Sequence, residues 1–324
     1  MFDVVGLGEL LIDFTPSGLS TDGNELFEKN PGGAPANVLA LLSKLGRKTA
    51  YIGKVGRDQF GIFLENTLKS CKVDTTNLVF SEEVNTTLAF VHLDDKGDRT
   101  FSFYRNPGAD MLLSEDEIKY SLIKDAKIFH FGSVSMTHEP SRSATMKAVK
   151  YAKQNGILVS YDPNLRIPLW SNLEEAKTVI SEGLCYTDLL KISEEELIFL
   201  TGENGLEAGS KRIRDTFGID LIFITLGKRG CFYRIRDFTG CVPTYDVRTI
   251  DTTGAGDAFL GGMLYKIVEN GVDLSHLTAS DIELFVDFAN AAGSMATVKK
   301  GAIPAMPSLN EVKECMDSVK KLII

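Results

Sequence analysis

The stretch Asp251-Thr-Thr-Gly-Ala-Gly-Asp257-Ala-Phe259 decides how this chain is read. A strand-like run, 242–250, precedes it, and a helix-like run without proline, 258–268, follows. Two glycines therefore stand at a predicted turn from strand to helix, with the carboxylate of Asp257 in the first helical turn. Glycine lets the backbone bend there and approach a ligand closely. The unsatisfied N–H groups of a helix start, reinforced by the helix dipole, face an anion. A carboxylate beside an anion site can take the proton of an attacking hydroxyl, and the two together are what phosphoryl transfer to an alcohol requires. In isolation Gly-x-Gly-Asp is a common fragment, and an acid complementing a helix dipole is its plainer reading. The surrounding chain has to decide.

Upstream, strand and helix alternate. Strands are predicted at 127–131, 157–161, 188–192 and 219–226, and helices at 139–154, 173–183, 194–200 and 206–217. Such alternation implies right-handed crossovers and a parallel sheet covered on both faces. Ligands of these sheets bind outside the carboxyl ends of the strands. The polar residues gather at that edge: Asp162-Pro-Asn164-Leu-Arg166, Lys191-Ile-Ser193-Glu-Glu-Glu196 and Thr225-Leu-Gly227-Lys-Arg-Gly230 each follow a strand. Downstream, helices are predicted at 258–270, 282–298 and 309–322, the last with Lys320 and Lys321 where its dipole favours them.

Toward the N-terminus, 4–11 suits a buried strand. Its Gly6-x-Gly8 is not a dinucleotide fingerprint, because the third glycine is missing and Pro16 follows instead of a helix. Asp13 interrupts an apolar run and needs a partner, from the protein or from a ligand. Residues 15–31 read as a polar loop. Pro31-Gly-Gly-Ala-Pro-Ala-Asn37 then opens a helix at 38–45, with Gly32 and Gly33 again allowing close backbone approach. A strand at 49–55 and a helix at 58–71 follow. Strands at 86–93 and 99–104, joined by a hairpin turn at 94–98, form a β-rich insert that can act as a lid; Phe101 and Phe103 share one of its faces.

Composition narrows the class. The 324 residues are 44% hydrophobic and 24% charged, which is ordinary for a globular protein with a large core. A net charge of −9 argues against nucleic-acid or acidic-membrane binding. Five scattered cysteines without C-x-x-C read as reduced thiols, so a cytoplasmic protein is expected. The four histidines have no ligand spacing, and Trp170 reads as a packing anchor.

With both glycine segments in view, the chain resembles a known family. Gly32-Gly-Ala-Pro-Ala-Asn37 and Asp251-Thr-Thr-Gly-Ala-Gly-Asp257-Ala-Phe259 resemble the N- and C-terminal signatures of the ribokinase-like (pfkB) carbohydrate kinases. Gly8-Glu-Leu-Leu-Ile-Asp13-Phe, the segment from Phe103 to Leu113, Ser160-Tyr-Asp-Pro-Asn-Leu-Arg166 and Lys191-Ile-Ser-Glu-Glu-Glu196 are similar to the fructokinases in particular. The resemblance implies a single α/β domain over 1–324, a three-layer α/β/α sandwich with a mostly parallel sheet and a small β-sheet lid from about 11–31 and 86–106. It implies an ATP- and magnesium-dependent sugar kinase, with fructose the expected substrate. 2-Keto-3-deoxygluconate, ribose and aminoimidazole riboside are alternatives, and a non-catalytic sugar- or nucleotide-binding regulator is the rival from another class.

The resemblance also carries residue roles. Asp257 matches the catalytic base, and Gly254, Ala255 and Gly256 the anion hole. Asp13, Gly32, Gly33 and Asn37 match the sugar floor. Arg105 matches a lid residue reaching sugar or phosphate, Arg166 a phosphate clamp, and Phe101 and Phe103 a cover for the sugar's apolar face. On the nucleotide side stand Lys191, Ser193, Glu196, Thr225, Gly227, Gly230, Gly256 and Asn290. Glu196 would organise magnesium through water, although Ser193 occupies the position where asparagine is usual. Asp251, Thr253, Ala296, Gly301 and Ala305 match a potassium site. A homodimer through the lid is expected.

Overall fold

The computed structural model describes residues 1–93 and 99–323, with the backbone alone at 93, 99 and 101. Its strands are β1 (Phe2–Leu7), β2 (Leu11–Leu19), β3 (Glu25–Gly32), β4 (Thr49–Gly56), β5 (Asp74–Ser81), β6 (Leu88–Leu93), β7 (Arg99–Tyr104), β8 (Ala126–Gly132), β9 (Leu158–Asp162), β10 (Leu189–Ser193), β11 (Leu221–Thr225), β12 (Cys231–Ile235) and β13 (Phe238–Val242). The helices are α1 (Ala34–Lys44), α2 (Gln59–Ser70), α3 (Tyr120–Lys124), α4 (Ser141–Gln154), α5 (Leu173–Leu184), α6 (Glu194–Thr201), α7 (Leu206–Phe217), α8 (Ala255–Glu269), α9 (Ala279–Ala296) and α10 (Leu309–Ser318).

The large sheet runs β13-β12-β11-β10-β9-β8-β1-β4-β5. From β11 to β5 every pairing is parallel, and β12 and β13 close one edge as an antiparallel hairpin. One hydrophobic core packs α1, α2, α8, α9 and α10 on one face; a second packs α3 to α7 on the other. This is the expected three-layer sandwich. The small sheet, β3-β2-β6-β7, projects from it, and β2 reaches it from β1 through only Gly8, Glu9 and Leu10. Among the described residues, no helix is long and apolar enough to cross a membrane.

Several sequence expectations are corrected. Residues 15–31 are mostly strand, in β2 and β3. These strands project into solvent on both sides past Thr15, so they lack apolar alternation. The run 242–250 is not a strand: β13 ends at Val242, Pro243 cannot donate to a ladder, and the following residues form a loop with one isolated bridge at Tyr245. The last helix stops at Ser318, and Lys321 pairs with Asp287 instead of capping a helix end. Strands β5, β12 and β13, at or next to the sheet edges, have no counterpart in the sequence reading. The predicted hairpin turn at 94–98 lies outside the described residues.

Candidate active site

The polar loops do gather at the carboxyl edge of the parallel strands, around two adjoining cavities. The first, about 250 Å³, is lined by Glu9, Asp13, Asn37, Arg166, Lys191 and Asp257 among others. Asp13 comes from β2 of the small sheet, and Asp257 from the first turn of α8. Asn37 Nδ2 donates to Asp257 Oδ2 (2.7 Å), which joins the two glycine segments across 220 residues. Gly32 is required beside Asp13: a Cβ on it would fall 2.1 Å from Asp13 Oδ2.

This chamber holds buried carboxyls under strain from desolvation. Burial pushes Asp257 above the ordinary carboxylate range, while Asn37, Lys191 and Arg166 hold it down. Burial raises Asp13 to about 6, opposed by Arg166 and reinforced by Asp257 and Asp251. Glu9 is raised to about 7, chiefly by burial. Its Oε1 accepts from Ala34 N–H (2.8 Å), and its Oε2 has no hydrogen-bond partner. Lys191 Nζ lies 2.8 Å from Asp162 Oδ2. Burial acts to lower the Lys191 ammonium, but Asp162, Glu196 and Asp257 around it prevail and keep it charged.

The turn into α8 has the features of an anion site. Gly254 is its N-cap at φ +78°, a left-handed conformation that glycine adopts without strain, and no side chain caps the helix. Ala255 N–H donates to Thr252 O (3.2 Å). The N–H groups of Gly254, Gly256 and Asp257 have no acceptor among the described residues. They are therefore the donors that this turn offers to a ligand. Asp251 anchors the turn from behind: Oδ1 accepts from Thr253 N (2.9 Å) and Oγ1 (2.7 Å), and Oδ2 from Gly301 N (3.0 Å).

The second cavity, about 570 Å³, meets the first at Thr252 and Gly256, which line both. Its walls include Thr225, Gly227, Gly230, Val247, Phe259 and Asn290. Asn290 Nδ2 donates to Val242 O (2.9 Å) and Pro243 O (3.2 Å), so its amide holds the 243–250 loop against α9.

The predicted site residues divide accordingly. Asp13, Gly33, Asn37, Phe103, Arg166, Thr253, Gly254, Gly256 and Asp257 line the first chamber. Thr225, Gly227, Gly230, Ala255 and Asn290 line the second. Lys191, expected on the nucleotide side, lines the first chamber. Arg105 lines neither cavity. It is buried in an ion pair with Asp110 (2.7 Å) and donates to Thr137 Oγ1 and Val134 O, so it braces the cavity wall from behind. Ser193 and Glu196 also line neither: they form a reciprocal cap on α6, and Glu196 Oε1 accepts from Leu165 N–H. The side chain of Phe101 lies outside the described residues. Asp162 and Glu9 received no role from the sequence. Their signal was a carboxylate at the end of an apolar strand, where burial demands a partner.

Two cavities that share an anion-binding turn, with a buried carboxylate on one side, match the chemistry of a two-substrate phosphotransferase. The pfkB family carbohydrate kinase pattern matches residues 1–309. The chain belongs to the pfkB family of carbohydrate kinases. This kinase is 47% identical over 319 residues to fructokinase-1 of Oryza sativa subsp. japonica, covering 97% of this chain and 98% of that one. A fructokinase from Xylella fastidiosa with bound ATP superposes with a TM-score of 0.90 at 33% identity, over 98% of this chain and 99% of that one. A fructokinase double mutant from Vibrio cholerae O395, in a form with fructose, ADP and potassium bound, gives a TM-score of 0.87 at 35% identity, over 97% and 98%.

Proposed function

We propose that this kinase is an ATP-dependent fructokinase, transferring the γ-phosphoryl group to the primary hydroxyl of fructose to give fructose 6-phosphate. The observation that carries the reading is the meeting of the two chambers at Thr252 and Gly256, with Asp257 on the sugar side of the junction. Asp257 accepts the hydroxyl proton through a carboxylate whose other oxygen, Oδ2, is fixed by Asn37. Asp13 takes two ring hydroxyls with its two oxygens. The N–H groups at the start of α8 stabilise charge on the phosphoryl in flight, and Arg166 and Lys191 add positive charge from the sugar side. Positioning and electrostatics supply most of the rate.

The residues present fit a magnesium–nucleotide complex. Asp162 Oδ1 is buried without a hydrogen-bond partner, and each Glu196 oxygen accepts a single backbone N–H, which leaves lone pairs for water. Glu196 would act through water, because its direct contacts belong to the backbone. Magnesium would neutralise phosphate charge. A potassium ion would be held where the 251–253 turn meets the 296–305 segment, which the Asp251–Gly301 hydrogen bond joins, and backbone carbonyls near Thr253, Ala296, Gly301 and Ala305 would supply its ligands.

The small sheet serves as the lid. On its face opposite Asp13, Phe14, Phe27, Phe90 and Tyr104 form an aromatic row, with Phe14 and Phe90 stacked at 4.8 Å and Tyr104 67% exposed. That half-buried row, exposed at Tyr104, supports a homodimer through the lid, and a monomer mass across working concentrations overturns it. Free, scattered cysteines support a reducing compartment, which we take to be the cytoplasm.

An ATP-consumption panel over fructose, ribose, 2-keto-3-deoxygluconate and aminoimidazole riboside tests the reading. Fructose should give the highest kcat/KM. Turnover led by another sugar reassigns the substrate, and binding without turnover assigns a regulator.

A further inference from the structure

The second chamber has a wall that the family pattern does not reach. That pattern ends at residue 309, yet Leu322 lines the chamber. Beyond α10 the chain runs antiparallel to the loop after β13. Leu322 N–H donates to Thr244 O (2.8 Å), Asp246 N–H donates to Lys320 O (2.8 Å), and Lys321 bridges Tyr245. An ion pair closes the arrangement. Lys321 Nζ lies 2.9 Å from Asp287 Oδ1 on α9, which also accepts from Tyr245 Oη (2.8 Å), and the ammonium sits 5.7 Å from the centre of the Tyr245 ring.

The strapped loop matters because it belongs to neither sheet. Thr244, Tyr245, Asp246, Val247 and Thr249 all line the chamber. The loop is held to α9 just before it, where Asn290 bonds Val242 O and Pro243 O, and at its end, where Ile250 N–H donates to Thr297 O; Thr244 Oγ1 meets Ser294 Oγ, and the strap pairs with the backbone of Thr244 and Asp246. Removing the strap takes away the pairing at Thr244 and Asp246.

We infer that residues 320–322 are part of the nucleotide site, with Leu322 packing against the base and the strap fixing the loop that forms the rest of the wall. The inference rests on reading the second chamber as the nucleotide's. The ligand chemistry it fits is a flat heteroaromatic ring, which gains from an apolar wall by burial without needing a charged partner.

Steady-state kinetics with Leu322→Ala, with a chain ending at Val319 and with Val247→Trp test the inference, with ATP and fructose varied separately. Leu322 is only partly buried at the margin of the fold, so the point variant keeps the structure. Leu322→Ala should raise the KM for ATP about five- to tenfold, the worth of one partly buried aliphatic side chain, with kcat and the KM for fructose within about twofold. Leu322→Met should restore the KM. The truncation should raise it further, and the thermal shift produced by ADP should shrink in both. Hydrogen exchange on the unaltered protein gives a variant-free readout: ADP, but not fructose, should slow the amides of Asp246 and Leu322. Val247→Trp fills the chamber and separates the two readings. If it raises the KM for ATP while the strap variants do not, the strap is only structural and the inference falls. If none of them affects ATP, the assignment of the chamber itself falls.

Discussion

The two chambers are made of different materials. The sugar side is walled by side chains that carry charge or amide groups: Glu9, Asp13, Asn37, Arg166, Lys191 and Asp257. The second chamber is walled mostly by glycines, threonines, Val247, Phe259 and Leu322, with Lys228, Asp246 and Asn290 as its charged or amide side chains. The difference follows from the ligands. Hydroxyls are directional and numerous, so they call for lone pairs at fixed positions. A base and its phosphates are met by an apolar wall and by N–H groups, which any residue can provide. On the proposed assignment, most of the polar side chains that could discriminate between ligands stand on one side of Gly256.

If the division holds, substitutions on the two sides separate cleanly in kinetics. The largest effect belongs to Asp257→Asn, which should lower kcat by about two to four powers of ten while fructose binding, measured by calorimetry, stays nearly intact. Near-normal turnover removes Asp257 as the base. Asp13→Asn should reduce kcat/KM for fructose about a hundredfold, because one charge-assisted hydrogen bond becomes neutral and the other loses its acceptor, and should leave the KM for ATP unchanged. A matching loss in ATP affinity breaks the division. With the Asp13 carboxyl raised to about 6, kcat/KM for fructose should fall about tenfold per pH unit below pH 6 as the gripping carboxylate is protonated. A profile flat to pH 5 excludes Asp13 as its source.

The smallest effect is on stability. Glu9 is raised to about 7 in the fold against an ordinary 4.5, so the folded state binds more protons than the unfolded one between these values. Stability must then rise as pH falls through that window, the reverse of Glu311, which is held at about 2 by Lys299 and the Ser308 cap. Glu9→Gln keeps an acceptor for Ala34 N–H and removes the buried charge. It should stabilise the protein by about 1–2 kcal/mol at pH 8, with the gain gone by pH 5 in denaturant titrations. A loss of stability at pH 8 shows that the charge has a partner in solution.

The same contrast explains what the sequence disclosed. The three-layer body was legible because parallel strands buried on both faces are apolar runs bounded by helices. Asp13, Asn37 and Asp257 were legible because polar side chains stand out against apolar or glycine surroundings. The small sheet's first hairpin was hidden, since strands exposed to water on both faces carry no alternation. Arg105 misled because a strand-end arginine looks solvent-facing until Asp110 is seen five residues away in a 3₁₀ turn. In the second chamber Thr225, Gly227, Gly230 and Asn290 were reached through the family resemblance, whereas the 244–249 loop and Leu322 were not, for a different reason. Backbone donors have no residue signature, and Leu322 acquires its place only through pairing with Thr244, 78 positions earlier in the chain.

The three-residue link from β1 to β2 has a consequence for turnover. Asp13 rides on the small sheet and Asp257 on a helix packed against the large one, so the distance between these carboxylates is set by how the two sheets dock. A molecule that reaches both acts as a spacer that sets that distance. On the roles proposed for Asp13 and Asp257, a misplacement of about 1 Å can cost two powers of ten in rate, so the docking of the two sheets bears on turnover independently of how tightly any single hydroxyl is held.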